Sequence, residues 1–414
     1  MTRTHAVILV DNQVSTKKLV NDLVAGKHPD FLWLKTKKIG EFSQSQIAQF
    51  IEEEERHDQE ILSKGTGQSL KSMSSGERKK ALLHFLEYQN PDILLVINPY
   101  DSLDVETQDT LKAKFEQLGK RIRIVQIINR ISDALSFATH FYIFKGDILE
   151  RHRSLKQLAL VSKSDNVHFN KKVPYPLKPI SFENKKLIEL KNVSVSFDGK
   201  PVLSQINWII KKAEFWQLMG PNGSGKSTLL SLITGDSHKG YGQDLTVFGH
   251  KKGSGESVWD LKKMIGYFSP AMVDRFRGYH SLEHMLLSGL HDSVGLYIKP
   301  SEVERQKAKE WLQFLGLEDK KRHYFHELSL GAKRLVMTAR AMIKHPPLLI
   351  LDEPTVGLDD YSASFFVQLV NAYAHESKSA VVFVSHRLEI GLKPKHVFEL
   401  IPNTKGSIGL SNTA

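Results

Sequence analysis

Eight residues, Gly220-Pro-Asn-Gly-Ser-Gly-Lys-Ser227, constrain this chain more than any other stretch. They lie between a short apolar run, Phe215-Trp-Gln-Leu-Met219, and a helical pattern over Thr228 to Thr234. A strand that turns through glycines into a helix aims successive backbone N–H groups at an anion, with the helix's positive end behind them. The binding candidates are therefore Gly220, Asn222, Gly223, Ser224, Gly225, Lys226, Ser227 and Thr228. Lys226 would reach the β- and γ-phosphates of a nucleotide, and the Ser227 hydroxyl would ligate Mg²⁺. The bland alternative, a chance glycine-rich turn, does not account for the strand, the helix and an acidic pair downstream.

That context dictates an α/β fold. Leu187 to Phe197 and Pro201 to Ile210 are strand-like, and so are Leu348 to Leu351 and Ala380 to Val384. Helical patterns run over Ser281 to Leu290, Ser301 to Leu315, a stretch after Gly331, and Tyr361 to Ala374; Ser301-x-x-Glu304 is a capping box. Strands alternating with helices predict a parallel sheet covered on both faces. Near the start, Ala6-Val-Ile-Leu-Val10 is too short for a secretory signal and reads as a buried strand.

A search for internal repeats divides the chain. Leu351-Asp-Glu-Pro-Thr-Val-Gly-Leu-Asp359 has a shadow at Val96-Ile-Asn-Pro-Tyr-Asp-Ser-Leu-Asp104. Val381-Val-Phe-Val-Ser-His-Arg387 has one at Ile124-Val-Gln-Ile-Ile-Asn-Arg130, and Leu328-Ser-Leu-Gly-Ala332 has one at Met73-Ser-Ser-Gly-Glu77. The order is the same in both halves, which indicates a tandem duplication. The polar stretch 164–186, with prolines at 174, 176 and 179, reads as a linker of limited flexibility. Expected domains are therefore 1–163, the linker 164–186, and 187–414.

Asp352 and Glu353 end the strand Leu348 to Leu351. The first is placed to hold Mg²⁺, and the second to orient or deprotonate an attacking water. His386, beyond Ala380 to Val384, would lie beside a γ-phosphate, and Phe197 could stack on adenine or serve core packing. With these motifs in order, the chain resembles the ATP-binding cassette (ABC) ATPases, specifically tandem ones. Ser231-Leu-Ile-Thr-Gly-Asp236, Gln243-Asp-Leu-Thr-Val-Phe-Gly249 and Gly253-Ser-Gly-Glu-Ser-Val-Trp-Asp260 look like the molybdate-associated ModF-type members, some labelled photorepair proteins. The resemblance implies an Mg²⁺-dependent ATPase whose two halves close head to tail as a pseudo-dimer, each phosphate loop facing the other half's Ser-x-Gly motif.

The departures from that pattern sort by composite site. In the first half, Asp11-Asn-Gln-Val-Ser-Thr-Lys-Lys18 aligns with the phosphate loop, Lys17 opposite Lys226, and has no loop glycine. Ile97, Asn98 and Asn129 stand opposite Asp352, Glu353 and His386. From Lys17 to Ser74 is 57 residues, against 103 from Lys226 to Ser329, so much of the helical arm is missing and the N-terminal cassette reads as truncated and degenerate. Leu330 replaces a glycine of the facing motif. The intact loop faces Met73 to Glu77, which keeps Ser74 and Gly76. One site has decayed and the other is retained, so one ATP is expected, with Lys226, Glu353 and His386 catalytic. Pro270 stands where many transport members carry glutamine, which puts permease coupling in doubt and allows slow turnover.

Composition adds limits. There is no cysteine among 414 residues, so no disulfide or thiolate metal site, in keeping with a reducing cytosol. No apolar run is long enough to span a membrane. A net charge of +11 favours polyanions. The expected location is cytoplasmic, with the inner membrane face as an alternative. Expected partners are ATP, with a membrane permease or nucleic acid as competing downstream partners. Competing functions are an accessory ATPase for molybdate or another oxyanion, a nucleic-acid- or ribosome-associated ATPase, and an ATP-gated regulatory module. His280-Ser-Leu-Glu-His284 fits a zinc-protease spacing, but it reads as a solvated helix face.

Overall fold

The computed structural model describes residues 4–12, 14–163, 172–180, 182–255, 257–276, 278–386 and 389–413. The linker read over 164–186 lies partly outside them, as do Gln13, Glu256 and Arg387 of the motifs above. The chain forms two compact units, Met1–Asn166 with Gly357–Ala363, and Val167–Val356 with Ser364–Ala414.

The first unit opens with β1 (Ala6–Val10), α1 (Thr16–Val24), β2 (Ile39–Phe42) and α2 (Gln44–His57). It continues through α3 (Ser75–Gln89), β3 (Ile93–Ile97), α4 (Val105–Gly119) and β4 (Arg123–Ile128), and closes with β5 (His140–Lys145), β6 (Ile148–His152) and α5 (Leu155–Lys163). Its sheet runs β2-β3-β4-β1-β5-β6. Every side chain of β1 is buried. Ala6, Ile8 and Val10 pack with Leu19 and Leu23 of α1, while Val7 and Leu9 pack with Leu158 of α5. Helices on both faces are why the sequence of β1 is apolar without alternation; each such aliphatic side chain contributes roughly 2 kcal/mol by leaving water.

The second unit starts with the long hairpin β7 (Lys186–Phe197) and β8 (Lys200–Lys211), then β9 (Phe215–Met219) and α6 (Lys226–Thr234). Next come β10 (Asp244–Val247), β11 (His250–Lys251), α7 (Val258–Met264) and β12 (Ile265–Phe268). Helices α8 (Leu282–Leu290), α9 (Glu302–Phe314) and α10 (Leu330–Met342) precede β13 (Leu348–Asp352). Then α11 (Asp360–Glu376), β14 (Ala380–Val384), β15 (His396–Ile401) and β16 (Ile408–Thr413) complete the chain. The six-stranded sheet runs β12-β13-β14-β9-β15-β16, and a separate antiparallel sheet runs β11-β10-β7-β8.

Strand for strand, the two six-stranded sheets have one topology. The register agrees as well: Ile39 pairs with Ile93 through Phe42 with Val96, and Ile265 with Leu348 through Phe268 with Leu351. The expectation of a parallel sheet needs correction in both units, and in the second unit β7 and β8 belong instead to the separate antiparallel sheet. Edge strands β6 and β16 run antiparallel to β5 and β15, because each is joined to its neighbour by a short connection rather than a helical crossover.

The capping box at Ser301 is present, with Ser301 and Glu304 bonded reciprocally across the first turn of α9. Linker residues are held by the second unit: the Val173 N–H donates to Glu376 at 2.8 Å, and Nε2 of His345 lies 2.8 Å from the Pro174 carbonyl. Burial lowers His345 to about 4, so its ring is neutral there.

Candidate nucleotide site

In the second unit the sheet gathers the polar residues at one end. Strand β9 feeds the loop 220–225, β13 ends in Asp352, and β14 ends two residues before His386. Side-by-side parallel strands present their carboxyl ends together, where open α/β sheets leave a crevice.

The loop needs its glycines for two reasons. Gly225 has φ +91°, a left-handed conformation, and a Cβ there would meet Leu203 at 2.7 Å. Gly220, at φ +147°, would meet the Ser224 hydroxyl at 2.7 Å and the Leu400 carbonyl at 2.8 Å. Lys226 is buried, and its ammonium donates to the carbonyls of Gly220 and Pro221 at 2.8 and 3.0 Å. Ser224 is buried, Asn222 and Thr228 are half-buried, and Gly223 and Ser227 are exposed at the loop's mouth. Phe197 ends β7 with 39% of its surface exposed, Lys239 lying 5.5 Å over its ring.

Past the loop lie the acids. The Glu353 N–H donates to the Val384 carbonyl at 3.0 Å, and its φ of +46° breaks the extended conformation just after the strand. His386 is buried, with Nδ1 3.2 Å from Glu353 Oε1. Its Nε2 is buried with no partner among the described residues. Asp352 is raised to about 6, chiefly by burial and then by Glu353 beside it, with Tyr267 and Lys226 pulling the other way. A cradle closed to a Cβ at Gly220 and Gly225, a buried lysine, two adjacent carboxylates and an unsatisfied imidazole nitrogen fit a nucleotide phosphate with its divalent cation. Asp352 and Ser227 supply hard oxygen ligands of the kind Mg²⁺ prefers.

The first unit repeats the backbone without the chemistry. The Asn98 N–H donates to the Ile127 carbonyl at 3.0 Å with φ +41°, matching Glu353. The Asn129 N–H donates to the Asn98 side chain at 3.1 Å, and the Asn129 amide donates to Asn12 at 2.8 Å. Neutral amides thus knit together the strand ends that carry Glu353 and His386 in the second unit. Lys17 is exposed, unlike buried Lys226, and Lys18 pairs with Asp147 at 2.7 Å.

Ser74 and Gly76 lie at the start of α3. Ser74 is its N-cap, bonded reciprocally with Glu77 in a capping box. Gly76 sits against Thr107, whose methyl would be 3.2 Å from a Cβ. Ser329 caps α10 in the second unit, and Leu330 beside it is exposed.

Two features escaped the sequence reading. Tyr267 on β12 donates its hydroxyl to Asp352 at 3.1 Å. Gln44, after β2, stands in the register position that Pro270 holds after β12. The signal was present: Ile39-Gly-Glu-Phe-Ser-Gln44 and Ile265-Gly-Tyr-Phe-Ser-Pro270 share four of six residues.

Residues 203–356 match the family model described as ABC transporter. The ABC transporter ATP-binding protein ModF of Escherichia coli (strain K12) is 36% identical over 331 residues, covering 77% of this chain and 67% of ModF. An ABC transporter ATP-binding protein of Schizosaccharomyces pombe is 30% identical over 326 residues, covering 77% of this chain and 66% of its own length. The chain therefore spans about two thirds of either relative. Among solved structures, a chain in a model of ribosome-bound archaeal Pelota and ABCE1 aligns with 99% of this chain and 75% of its own, with a TM-score of 0.68 and 14% identity. At that identity the likeness concerns the fold alone. No helix among the described residues is long and apolar enough to cross a membrane.

Proposed function

We propose a function from one premise: the chain belongs to the ATP-binding proteins of the ABC family. It hydrolyses ATP to ADP and phosphate at the crevice of the second unit. What carries this reading is the convergence, within that unit, of buried Lys226, the Asp352–Glu353 pair and His386 at neighbouring strand ends.

The loop N–H groups and the Lys226 ammonium bind the β- and γ-phosphates, and Phe197 offers a face for adenine. Ser227 and Asp352 hold Mg²⁺, which when bound neutralises phosphate charge. Glu353 accepts a proton as water attacks the γ-phosphorus and the bond to the β-phosphate oxygen breaks. His386 orients Glu353 through Nδ1–H, and when doubly protonated it also donates Nε2–H to the γ-phosphate.

Ser74 and Gly76 complete this site from the first unit, which supplies no second ATP site. The support is the pattern of losses: the first half lacks the loop glycines, both acids and the histidine, yet keeps its Ser-x-Gly motif. On this reading the first half is a truncated, degenerate cassette. Turnover is slow, since Pro270 supplies no side-chain amide. The likeness to ModF-type members supports a cytoplasmic accessory ATPase for oxyanion uptake, with Pro270 weighing against conventional coupling to a permease.

The test is nucleotide binding and phosphate release by the purified chain with Mg²⁺. Wild type should bind one ATP per chain and release phosphate; Lys226→Ala should lose both. Two bound ATP per chain would sink the single-site reading, and undiminished binding by Lys226→Ala would sink the site itself.

A further inference from the structure

Asp352 is half-buried at the end of β13, and a carboxylate in that setting is costly unless hydrogen-bonded. Its partner comes from the neighbouring strand. Tyr267 on β12 pairs in register with Ile350, two residues before Asp352, so its side chain leaves the same face of the sheet. The hydroxyl donates to Oδ2 of Asp352 at 3.1 Å. A phenol is protonated at neutral pH and an ionised carboxylate only accepts, so this hydrogen bond runs from Tyr267 to Asp352.

The first unit is an internal control. There the position of Tyr267 is taken by Glu41 and that of Asp352 by Ile97, in the same register. Glu41 accepts from Ser43 and Ser45 at 2.5 and 3.3 Å instead. The tyrosine stands where the acid stands and is replaced where the acid is replaced. A tyrosine kept only to fill the strand would have no reason to follow that pattern.

We infer that Tyr267 is a positioning residue that holds Oδ2 of Asp352, leaving Oδ1 for the cation, and thereby sets the Mg²⁺ affinity of the site. The inference rests on the nucleotide-site reading above. A phenol held by strand pairing fixes the carboxylate rotamer before metal arrives, so less ordering remains to be done on binding.

The test removes only the hydroxyl. In the intact chain, affinity for a fluorescent ATP analogue is measured with Mg²⁺ and with EDTA, together with the Mg²⁺ concentration giving half-maximal hydrolysis. Tyr267→Phe should raise that concentration about tenfold or more, the worth of one hydrogen bond to a charged group. The affinity gained on adding Mg²⁺ should shrink by the same factor, with the metal-free affinity unchanged. Tyr267→Gln, which keeps a donor, should recover part of the loss. Wild-type Mg²⁺ dependence in Tyr267→Phe would overturn the inference. So would equal losses with and without metal, the mark of a merely structural role. Lys226→Ala in the same assay separates the two readings: if it leaves metal-free binding intact, the nucleotide site fails, and if only it behaves as expected, Tyr267 alone is wrong.

Discussion

Nδ1 of His386 lies 3.2 Å from Oε1 of Glu353, joining the ends of β14 and β13. At the corresponding ends of β4 and β3, the Asn129 N–H meets the Asn98 side chain at 3.1 Å. Duplicated backbones thus hold a carboxylate with an imidazole in one unit and two amides in the other. Glu353→Gln keeps the shape and removes the base, so phosphate release should fall by at least about 10²-fold with ATP binding retained. Phosphate release at the wild-type rate would remove Glu353 from the chemistry. His386→Ala should also slow release, by about tenfold or more, because Glu353 loses its orienting partner.

A second prediction concerns the loop. Gly225→Ala forces a side chain into a left-handed conformation and against Leu203 at 2.7 Å. We expect a loss of about 1–3 kcal/mol in stability, read from denaturant midpoints, and a larger proportional loss in ATP affinity. Gly223 also has a left-handed backbone, φ +78°, but a Cβ there would meet nothing within 4 Å. Gly223→Ala should therefore cost about 1 kcal/mol, from backbone strain alone. If both variants were equally stable, the close approach to Leu203 would not be a constraint.

Much of this was legible in the sequence, and the reasons are specific. Ala6–Val10 and Ala380–Val384 are continuous apolar runs, and Phe215–Met219 is one broken only by buried Gln217, because helices or a second sheet cover both of their faces, and each forms a strand over those same residues. Helix α9 was marked by its capping box. Strands β10 and β11 are only four and two residues long, too short for an alternating pattern to rise above the background. The loop, acids and histidine were marked by residue type. Tyr267 was not, because its meaning depends on the register of β12 against β13, two strands far apart in the chain.

Ser74 tests the proposed composite site and needs a variant that separates its two roles. As N-cap of α3 it accepts from the Glu77 N–H, so Ser74→Ala should cost about 1 kcal/mol of stability. Ser74→Asp keeps a capping acceptor and brings negative charge towards the proposed γ-phosphate. That variant should fold with an unfolding midpoint close to wild type yet lose phosphate release by roughly tenfold or more, and Ser74→Arg should block release by bulk. Full activity in both variants would confine Ser74 to capping.

Asp352 makes the stability of the metal-free protein depend on pH in a definite direction. Burial, then Glu353, raises its carboxyl from 3.8 to about 6. Between those values the folded chain holds a proton that the unfolded chain has released. Stability therefore falls as pH rises through this window; the penalty is absent below about 3.8 and fully present above about 6. A shift of two units corresponds to at most ~3 kcal/mol, and relaxation around a half-buried group lowers that to about 1–2 kcal/mol. Asp352→Asn keeps an acceptor for the Tyr267 hydroxyl and cannot ionise. With EDTA and no nucleotide, its stability relative to wild type should be greater at pH 8 than at pH 4 by that amount, read as the difference in urea unfolding free energies so that other titrating groups cancel. A difference that does not change with pH would mean that Asp352 ionises in the folded chain as readily as in the unfolded one, and that its burial at the end of β13 carries no penalty for Mg²⁺ to relieve.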